Sequence, residues 1–171
     1  MSKTKVGKKK ELTQQELKEN LDYDPITGIF TRTLSKSGRV KIGDNPGYYR
    51  EDGYLVISVN GHEYRAHRLA WLYMTGKMPK KLIDHKNGNP SDNWFDNLRE
   101  ATSQQNCQNL TKPRTCNKSG FLGVSLKGIN KFYATITVSG RQKFLGQFLT
   151  PEEAHQAYLT AKRRLHEFCT I

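Results

Sequence analysis

Asp84 and His85 stand side by side near the middle of the chain, and Asn97 and Asn106 follow twelve and twenty-one residues after His85. Carboxylate and amide oxygens are hard ligands that suit Mg²⁺ or Mn²⁺, and a neutral imidazole can accept a proton near pH 7. Hydrolysis of a phosphodiester needs both functions, because charge builds on the phosphate oxygens and water is a poor nucleophile. These residue types indicate metal-assisted phosphodiester hydrolysis.

The flanking sequence predicts how these side chains are positioned. Adjacent residues of a strand point to opposite sides, so Asp84 and His85 converge on one phosphate only where a strand twists or ends. The Asn-Gly-Asn turn that follows predicts such an end. Thr102 followed by Gln105 is a capping box, which predicts a helix with Asn106 in its second turn. A single asparagine is, however, more often a turn former or a helix cap than a ligand.

Over these residues the chain resembles the HNH homing endonucleases, in the variant whose last motif histidine is an asparagine. The resemblance implies a ββα-metal core, in which two strands and a helix hold one ion. It implies that His85 is the general base and that Asp84 and Asn106 ligate the metal. It also implies that Asn97 orients the His85 ring. The expected cofactor is a divalent metal, Mg²⁺ or Mn²⁺.

Residues 117–168 resemble an AP2 DNA-binding domain. Apolar and polar residues alternate over 133–138, Ser139-Gly140 predicts a turn, and a partner strand follows at 141–148. Thr150, Pro151 and Glu153 predict the start of a helix. Its apolar stripe consists of residues at helical spacing: Ala154, Ala157, Tyr158, Ala161, Leu165 and Phe168.

The AP2 resemblance implies a three-stranded antiparallel sheet backed by this helix, with an open face that contacts DNA. The residues expected on that face are Ser125, Lys127, Lys131, Tyr133, Thr135, Thr137, Arg141 and Lys143. The alternative is a small domain whose basic surface is merely solvated.

Residues 11–80 carry local signals for structure and weaker ones for function. A capping box at Thr13 predicts a helix to Asp22, and strands are predicted at 29–33, 54–59 and 62–66. A helix is predicted from His67 to Thr75, with His67 more readily a core or capping residue than a substrate contact. Arg65 and Arg68 either contact phosphate or are solvated.

Charge favours a polyanionic partner. The net charge is +12, residues 1–10 hold five lysines and no acidic residue, and residues 117–171 hold eight basic and three acidic residues. Basic ends on both sides of a nearly neutral middle are expected where the flanks hold a nucleic acid across a site. The lysine run is equally well explained as a disordered, solubilising tail.

The remaining composition bounds the setting. Cys107, Cys116 and Cys169 form no Cys-x-x-Cys pair, which argues against structural zinc and a disulfide framework and fits a reducing cytoplasm. No apolar run approaches the ~20 residues of a membrane helix, and the start of the chain does not resemble a secretory signal. We therefore expect a cytoplasmic protein, in the host cell if it is phage-encoded.

The sequence thus predicts an α+β protein of two modules. A basic disordered tail spans 1–10, a nuclease module with an N-terminal strand and helix extension spans 11–110, a linker spans 111–116, and the AP2-like domain spans 117–171. The expected function is metal-dependent cleavage of double-stranded DNA by a homing-type enzyme of phage or intron origin. Two alternatives stay open: a non-catalytic DNA-binding regulator, and a nuclease for RNA or structured nucleic acid.

Overall fold

The computed structural model describes residues 11–35 and 40–170, and these form short helices joined to small sheets. The elements in chain order are α1 (Gln14–Asn20), β1 (Leu21–Tyr23), β2 (Phe30–Arg32), β3 (Tyr48–Tyr49), β4 (Leu55–Val59), β5 (His62–Arg65), α2 (Ala66–Thr75), β6 (Leu82–His85), a 3₁₀ helix (Phe95–Asn97), β7 (Leu98–Ala101), α3 (Ser103–Gln108), β8 (Val124–Leu126), β9 (Phe132–Val138), β10 (Arg141–Phe148) and α4 (Pro151–Leu165). The mixed α and β content agrees with the predicted class. The basic tail predicted at 1–10 lies outside the described residues.

The chain divides into two compact units. The first comprises Met1–Lys80 and Pro90–Leu98, and the second comprises Lys81–Asn89 and Arg99–Ile171. The second unit therefore contains β6, α3 and the whole sheet of β8 to β10. The predicted linker at 111–116 and the predicted module boundaries stay predictions.

In the first unit, local signals start α1 and form the β4–β5 hairpin as predicted. The predicted end of α1 at Asp22 was wrong: the helix ends at Asn20, because Leu21 and Asp22 pair with β2 as part of β1. The Thr13 hydroxyl accepts from the Glu16 amide in a capping box that starts α1. Asn60 and Gly61 both have positive φ, 51° and 77°, and join β4 to β5 in an antiparallel hairpin. This pair of positive φ values is the geometry that Asn-Gly favours. Gly76 ends α2 in the left-handed conformation.

The core of the first unit fixes the 3₁₀ helix that carries Asn97. The Tyr23 hydroxyl donates a buried 2.7 Å hydrogen bond to the carbonyl of Asn93. Burial, assisted by the charge of Asp24, raises the pKa of that hydroxyl, so it stays a donor. The Phe95 amide donates to the carbonyl of Pro25 at 2.9 Å. These contacts tie the residues before Asn97 to the β1 region.

His67 is buried in α2, as predicted for a core histidine, and its ring lies 5.3 Å from the Tyr54 ring. The two arginines near it are engaged within the same unit. Arg68 Nη2 donates to the carbonyl of Pro79 at 3.0 Å, and the guanidinium of Arg65 lies 4.2 Å from the Tyr54 ring centre.

In the second unit, β6 pairs with β7 and α3 follows, which gives a ββα order around the predicted site. The Thr102 hydroxyl accepts from the Gln105 amide in the predicted capping box. The sheet β10-β9-β8 is antiparallel, and α4 packs on one of its faces through Val124, Ala134 and Ala154.

α4 begins as predicted and ends earlier than predicted. Thr150 caps it and Pro151 occupies its first turn. The helix ends at Leu165, so Phe168 lies outside it and the predicted apolar stripe was wrong at that residue. Gly123 allows α4 to approach, because a Cβ there would lie 2.0 Å from the Tyr158 ring.

All three cysteines are thiols in the structure. Within residues 11–35 and 40–170, the helices are all too short or too polar to cross a membrane.

Candidate active site

Asp84 and His85 occupy the last two positions of β6, and both are buried, with 5% and 4% of their surface exposed. The strand ends here because the Gly88 amide donates to the carbonyl of His85 at 2.9 Å, and Gly88 has a φ of 72°. The strand end predicted from the Asn-Gly-Asn turn is therefore confirmed.

The carboxylate of Asp84 is held by two side chains of the second unit. Arg99 Nε donates to Oδ2 at 2.9 Å in an ion pair that is largely buried. Asn109 Nδ2 lies 3.1 Å from Oδ1 and 3.2 Å from Oδ2. The same Nδ2 donates to the carbonyl of His85 at 2.6 Å, so one amide group contacts both residues of the motif.

Sequence reasoning missed Arg99 and Asn109. Arg99 stands two residues after Asn97, and Asn109 stands three residues after Asn106. Residues three apart share a helix face, so an asparagine at the end of α3 was a signal for a second polar contact on the side of Asn106. Its partner was not readable, because Asp84 is 25 residues away in the chain.

Asn106 lies in the second turn of α3, as the capping box predicted, and is half-buried. Asn97 lies in the first unit, with 1% of its surface exposed, and its Nδ2 donates to the carbonyl of Asp92 at 2.8 Å. The structure thus places Asp84, His85 and Asn106 in one compact unit and Asn97 in the other. The catalytic and metal-binding roles of all four stay predictions.

The side-chain oxygens of Asp84 and Asn106 are ligands that suit a hard divalent cation. A carboxylate offers about four lone-pair positions, and Arg99 and Asn109 leave at least one of those on Asp84 for a further partner. Among the described residues, no group of three or more His, Cys, Asp or Glu side chains is arranged to hold a metal. An ion at Asp84 and Asn106 would therefore take its other ligands from water and substrate phosphate, as Mg²⁺ commonly does.

In the sheet of β8 to β10, the pairing register decides which side chains share a face. Thr137 pairs with Gln142, Thr135 with Phe144, and Tyr133 with Gln147 and Ser125, so these residues point away from α4. Arg141 pairs with Val138 and Lys143 with Ile136, so both belong to the face that α4 covers. Directly opposed residues of an antiparallel pair point to the same side. The prediction that Arg141 and Lys143 lie on the open face was wrong, although both side chains are exposed.

The open face carries an aromatic pair with a basic neighbour. The Tyr133 and Phe144 ring centres are 5.8 Å apart, and Lys127 Nζ lies 5.5 Å from the Tyr133 ring centre. Phe144 is 62% exposed and was not among the predicted contacts. Lys131 is exposed in the turn before β9.

Thr135 and Thr137 also border a cavity of about 250 Å³, which Gln104 and Cys107 of α3 line as well. These two threonines are therefore shared between the sheet surface and a space beside α3. DNA binding by any residue of this sheet, and its AP2-like character, stay predictions.

Comparison with known proteins supports the local pattern. Residues 64–108 match the family model described as HNH endonuclease, and this range contains Asp84, His85, Asn97 and Asn106. "Protein 3.8" of Escherichia phage T7 is 36% identical over 80 residues, which are 46% of this chain and 65% of that protein. "Uncharacterized HNH endonuclease L560" of Acanthamoeba polyphaga mimivirus is 33% identical over 124 residues, 71% of this chain and 63% of that protein.

The chain thus spans less than two thirds of the length of these two curated relatives. Among solved structures, "DNA binding and cleavage by the HNH homing endonuclease I-HmuI" is 20% identical, with 80% of this chain and 76% of that chain covered and a TM-score of 0.38. That score is too low to establish a common overall fold.

Proposed function

We propose that this chain, which carries an HNH endonuclease domain over residues 64–108, is a metal-dependent endonuclease that hydrolyses phosphodiester bonds of double-stranded DNA. The observation that carries the proposal is that the matched range contains Asp84 and His85 in a specific structural arrangement. A buried carboxylate and a neighbouring histidine end one strand, and the helix that bears Asn106 lies in the same compact unit.

In this proposal His85 is the general base. A neutral imidazole accepts a proton from the water that attacks phosphorus, and an electron pair of the water oxygen forms the new P–O bond as the bond to the leaving oxygen breaks. The backbone carbonyl of His85 accepts from Asn109 and Gly88, which restricts the main chain that carries the ring. Asn97, the remaining member of the pattern, keeps its predicted supporting role.

Asp84 and Asn106 would hold the metal ion. When bound, a divalent ion offsets the negative charge that develops on the non-bridging and leaving oxygens. Asp84 contributes a full negative charge and Asn106 contributes an amide dipole, so Asp84 is the stronger ligand of the two. The preferred ion in this proposal is Mg²⁺ or Mn²⁺.

In this proposal the sheet of β8 to β10 binds DNA and gives the enzyme its site specificity. The proposed enzyme is a homing-type nuclease of phage or intron origin. Support comes from the half-buried Tyr133 and the exposed Phe144, which lie together beside Lys127, and from the excess of basic residues after residue 116. Cations bind phosphates without regard to sequence, whereas groups that reach base edges read sequence. We also propose that the protein acts in the cytoplasm.

Nicking of supercoiled plasmid by the purified full-length protein tests the function. We expect conversion to open-circular or linear DNA with Mg²⁺ or Mn²⁺, and no conversion with excess EDTA. A plasmid that stays supercoiled with either ion, while a positive-control nuclease cuts it, would contradict the proposal.

The second candidate is a DNA-binding regulator without nuclease activity. One observation favours it: both oxygens of Asp84 are engaged by protein donors, and His85 is only 4% exposed. The regulator predicts tight, salt-sensitive DNA binding that does not change in EDTA and is never followed by cleavage.

A further inference from the structure

The segment that follows α4 contacts the residues that hold the β6 carboxylate. We call residues 166–170 the post-α4 segment. We propose that this segment is part of the active centre, in which Thr170 and Phe168 are positioning residues that hold Asn109 and Arg99 in place. The inference rests on the proposed function, because it concerns the carboxylate expected to ligate the metal.

Thr170 holds the Asn109 amide in place against Asp84. Its Oγ1 donates a 2.6 Å hydrogen bond to Oδ1 of Asn109. On the other side of the amide, Nδ2 faces the carboxylate of Asp84 and the carbonyl of His85, which are both acceptors. A reversed amide would bring its oxygen against those acceptors and would receive nothing from them. The two acceptors therefore set the amide orientation that donates to Asp84, and the Thr170 hydroxyl adds a hydrogen bond to Oδ1 that holds the amide in place.

Phe168 holds Arg99 in two ways. Its carbonyl accepts from Nη2 at 3.0 Å, and its ring centre lies 3.9 Å from the guanidinium carbon. The guanidinium is planar and presents its donors in a fixed fork, so these two contacts also set the direction of Nε. Nε is the atom that donates to Asp84 at 2.9 Å.

The post-α4 segment is itself anchored within the second unit. The Phe168 amide donates to Gln108 Oε1 at 3.4 Å, and His166 Nε2 lies 2.9 Å from the carbonyl of Thr137. The fully buried Lys162 donates from Nζ to the carbonyl of Leu110 at 2.5 Å, next to the end of α3. These hydrogen bonds link α4, the post-α4 segment and β9 to α3, the helix that bears Asn106, and to the residue Leu110 that follows it.

The physical consequence is a carboxylate that is ordered before an ion arrives. Groups that hold a metal ligand through a hydrogen bond typically contribute about 10- to 100-fold to metal affinity or activity. Asp84 and Asn109 each have 5% of their surface exposed, so little water competes for the hydrogen bonds between them. A merely structural role for Thr170 and Phe168 would change stability and leave the affinity for an ion unchanged.

The test uses the full-length protein and measures Mn²⁺ binding by electron paramagnetic resonance, without DNA. T170V removes the hydroxyl and keeps the side-chain shape, and we expect it to raise the Mn²⁺ dissociation constant by about 10-fold. T170S keeps the hydroxyl and should restore wild-type affinity. The matched control is T160V, because Thr160 donates only to the carbonyl of Gln156 within α4. Wild-type Mn²⁺ affinity in T170V would overturn the proposal.

Phe168→Leu provides a second, independent variant. It removes the ring beneath the guanidinium of Arg99 and keeps an apolar side chain. We expect the single-turnover nicking rate at saturating DNA to fall about 10-fold, with an unchanged DNA dissociation constant. A loss confined to DNA affinity, with a wild-type rate at saturation, would overturn a positioning role for Phe168.

A third measurement separates this proposal from the proposed function. If the wild-type protein neither binds Mn²⁺ nor nicks DNA, the nuclease function fails, and amide hydrogen exchange then decides the positioning role. Faster exchange over residues 82–88 in T170V than in wild type and T160V, with unchanged exchange over β9 and α4, would support it, because a general loss of stability would speed exchange in those elements too. Equal exchange rates in the three proteins would overturn it.

Discussion

Nε of Arg99 lies 2.9 Å from Oδ2 of Asp84, in an ion pair whose side chains are 21% and 6% exposed. Removing one member of a buried pair leaves an uncompensated charge, which costs far more than the pair itself contributes. Arg99→Ala should therefore lower the free energy of unfolding by roughly 3 kcal/mol in urea titrations. The control is Arg50→Ala, because Arg50 and Asp52 are 3.7 Å apart and side chains of both are about half exposed.

We expect the control to change stability by less than about 1 kcal/mol. Equal effects of Arg99→Ala and Arg50→Ala would show that burial of Asp84 does not set the cost of losing its partner.

His85→Ala should abolish nicking and leave DNA affinity nearly intact, because the imidazole acts on water and not on the duplex. Loss of a general base typically lowers the rate by about 10²- to 10⁴-fold. Single-turnover nicking with Mg²⁺ and a parallel binding titration measure both quantities. His62→Ala, at an exposed residue of β5, is the matched control. Wild-type nicking by His85→Ala would remove His85 from the mechanism.

The two predicted metal ligands should differ in how much each contributes to activity. Asp84→Ala should lose more activity than Asn106→Ala, since the carboxylate contributes net charge to a hard-cation site and the amide contributes a dipole. Raising the Mn²⁺ concentration should partly restore Asn106→Ala and should not restore Asp84→Ala. A reversed order of activity would assign the charged ligand elsewhere.

Buried Lys162 makes stability depend on pH. Desolvation lowers the pKa of its ammonium, and the neighbouring Cys169 only partly opposes that effect. Because the folded pKa lies below the unfolded value of 10.5, the unfolded chain binds more protons between the two values, and stability rises with pH there. We expect the wild-type free energy of unfolding to increase, relative to Lys162→Met, as pH is raised toward 10.5.

The measurement is urea unfolding of both proteins at several pH values, with Lys143→Met as the exposed control. A constant difference between wild type and Lys162→Met would contradict a lowered pKa at Lys162. A difference that widens equally for Lys143→Met would point to a general effect of alkaline pH.

On the open face of the β8 to β10 sheet, we expect different residues to control DNA affinity and sequence preference. Lys127→Ala should flatten the plot of log affinity against log salt by about 0.9, the value for one phosphate contact. Tyr133→Ala and Phe144→Ala should change sequence preference more than the salt slope. Lys118→Ala, at an exposed lysine outside the three strands, is a charge-matched control. An equal change of slope in Lys118→Ala would show that Lys127 has no particular contact.

The local structure was predictable because it depends on residues that are neighbours in the chain. Capping hydroxyls at Thr13, Thr102 and Thr150 start α1, α3 and α4 at the expected positions, since each cap bonds an amide three residues away. The Asn60-Gly61 turn likewise fixes its hairpin through its own φ angles. The faces of Arg141 and Lys143 were also within reach of the sequence. A two-residue turn at Ser139-Gly140 pairs Val138 directly with Arg141, and the alternation of the strand then assigns Lys143.

By itself the sequence determined the spacing from Asp84 to Asn106 and the strand end and helix that carry these residues. Only the tertiary structure decided what surrounds the carboxylate. Asn109 is 25 residues from Asp84, Thr170 is 61 from Asn109, and Phe168 is 69 from Arg99. No periodicity or turn links residues so far apart. Their contacts exist because packing of α4 on its sheet returns the chain to α3 and β6, and such long-range closure depends on the summed burial of many side chains.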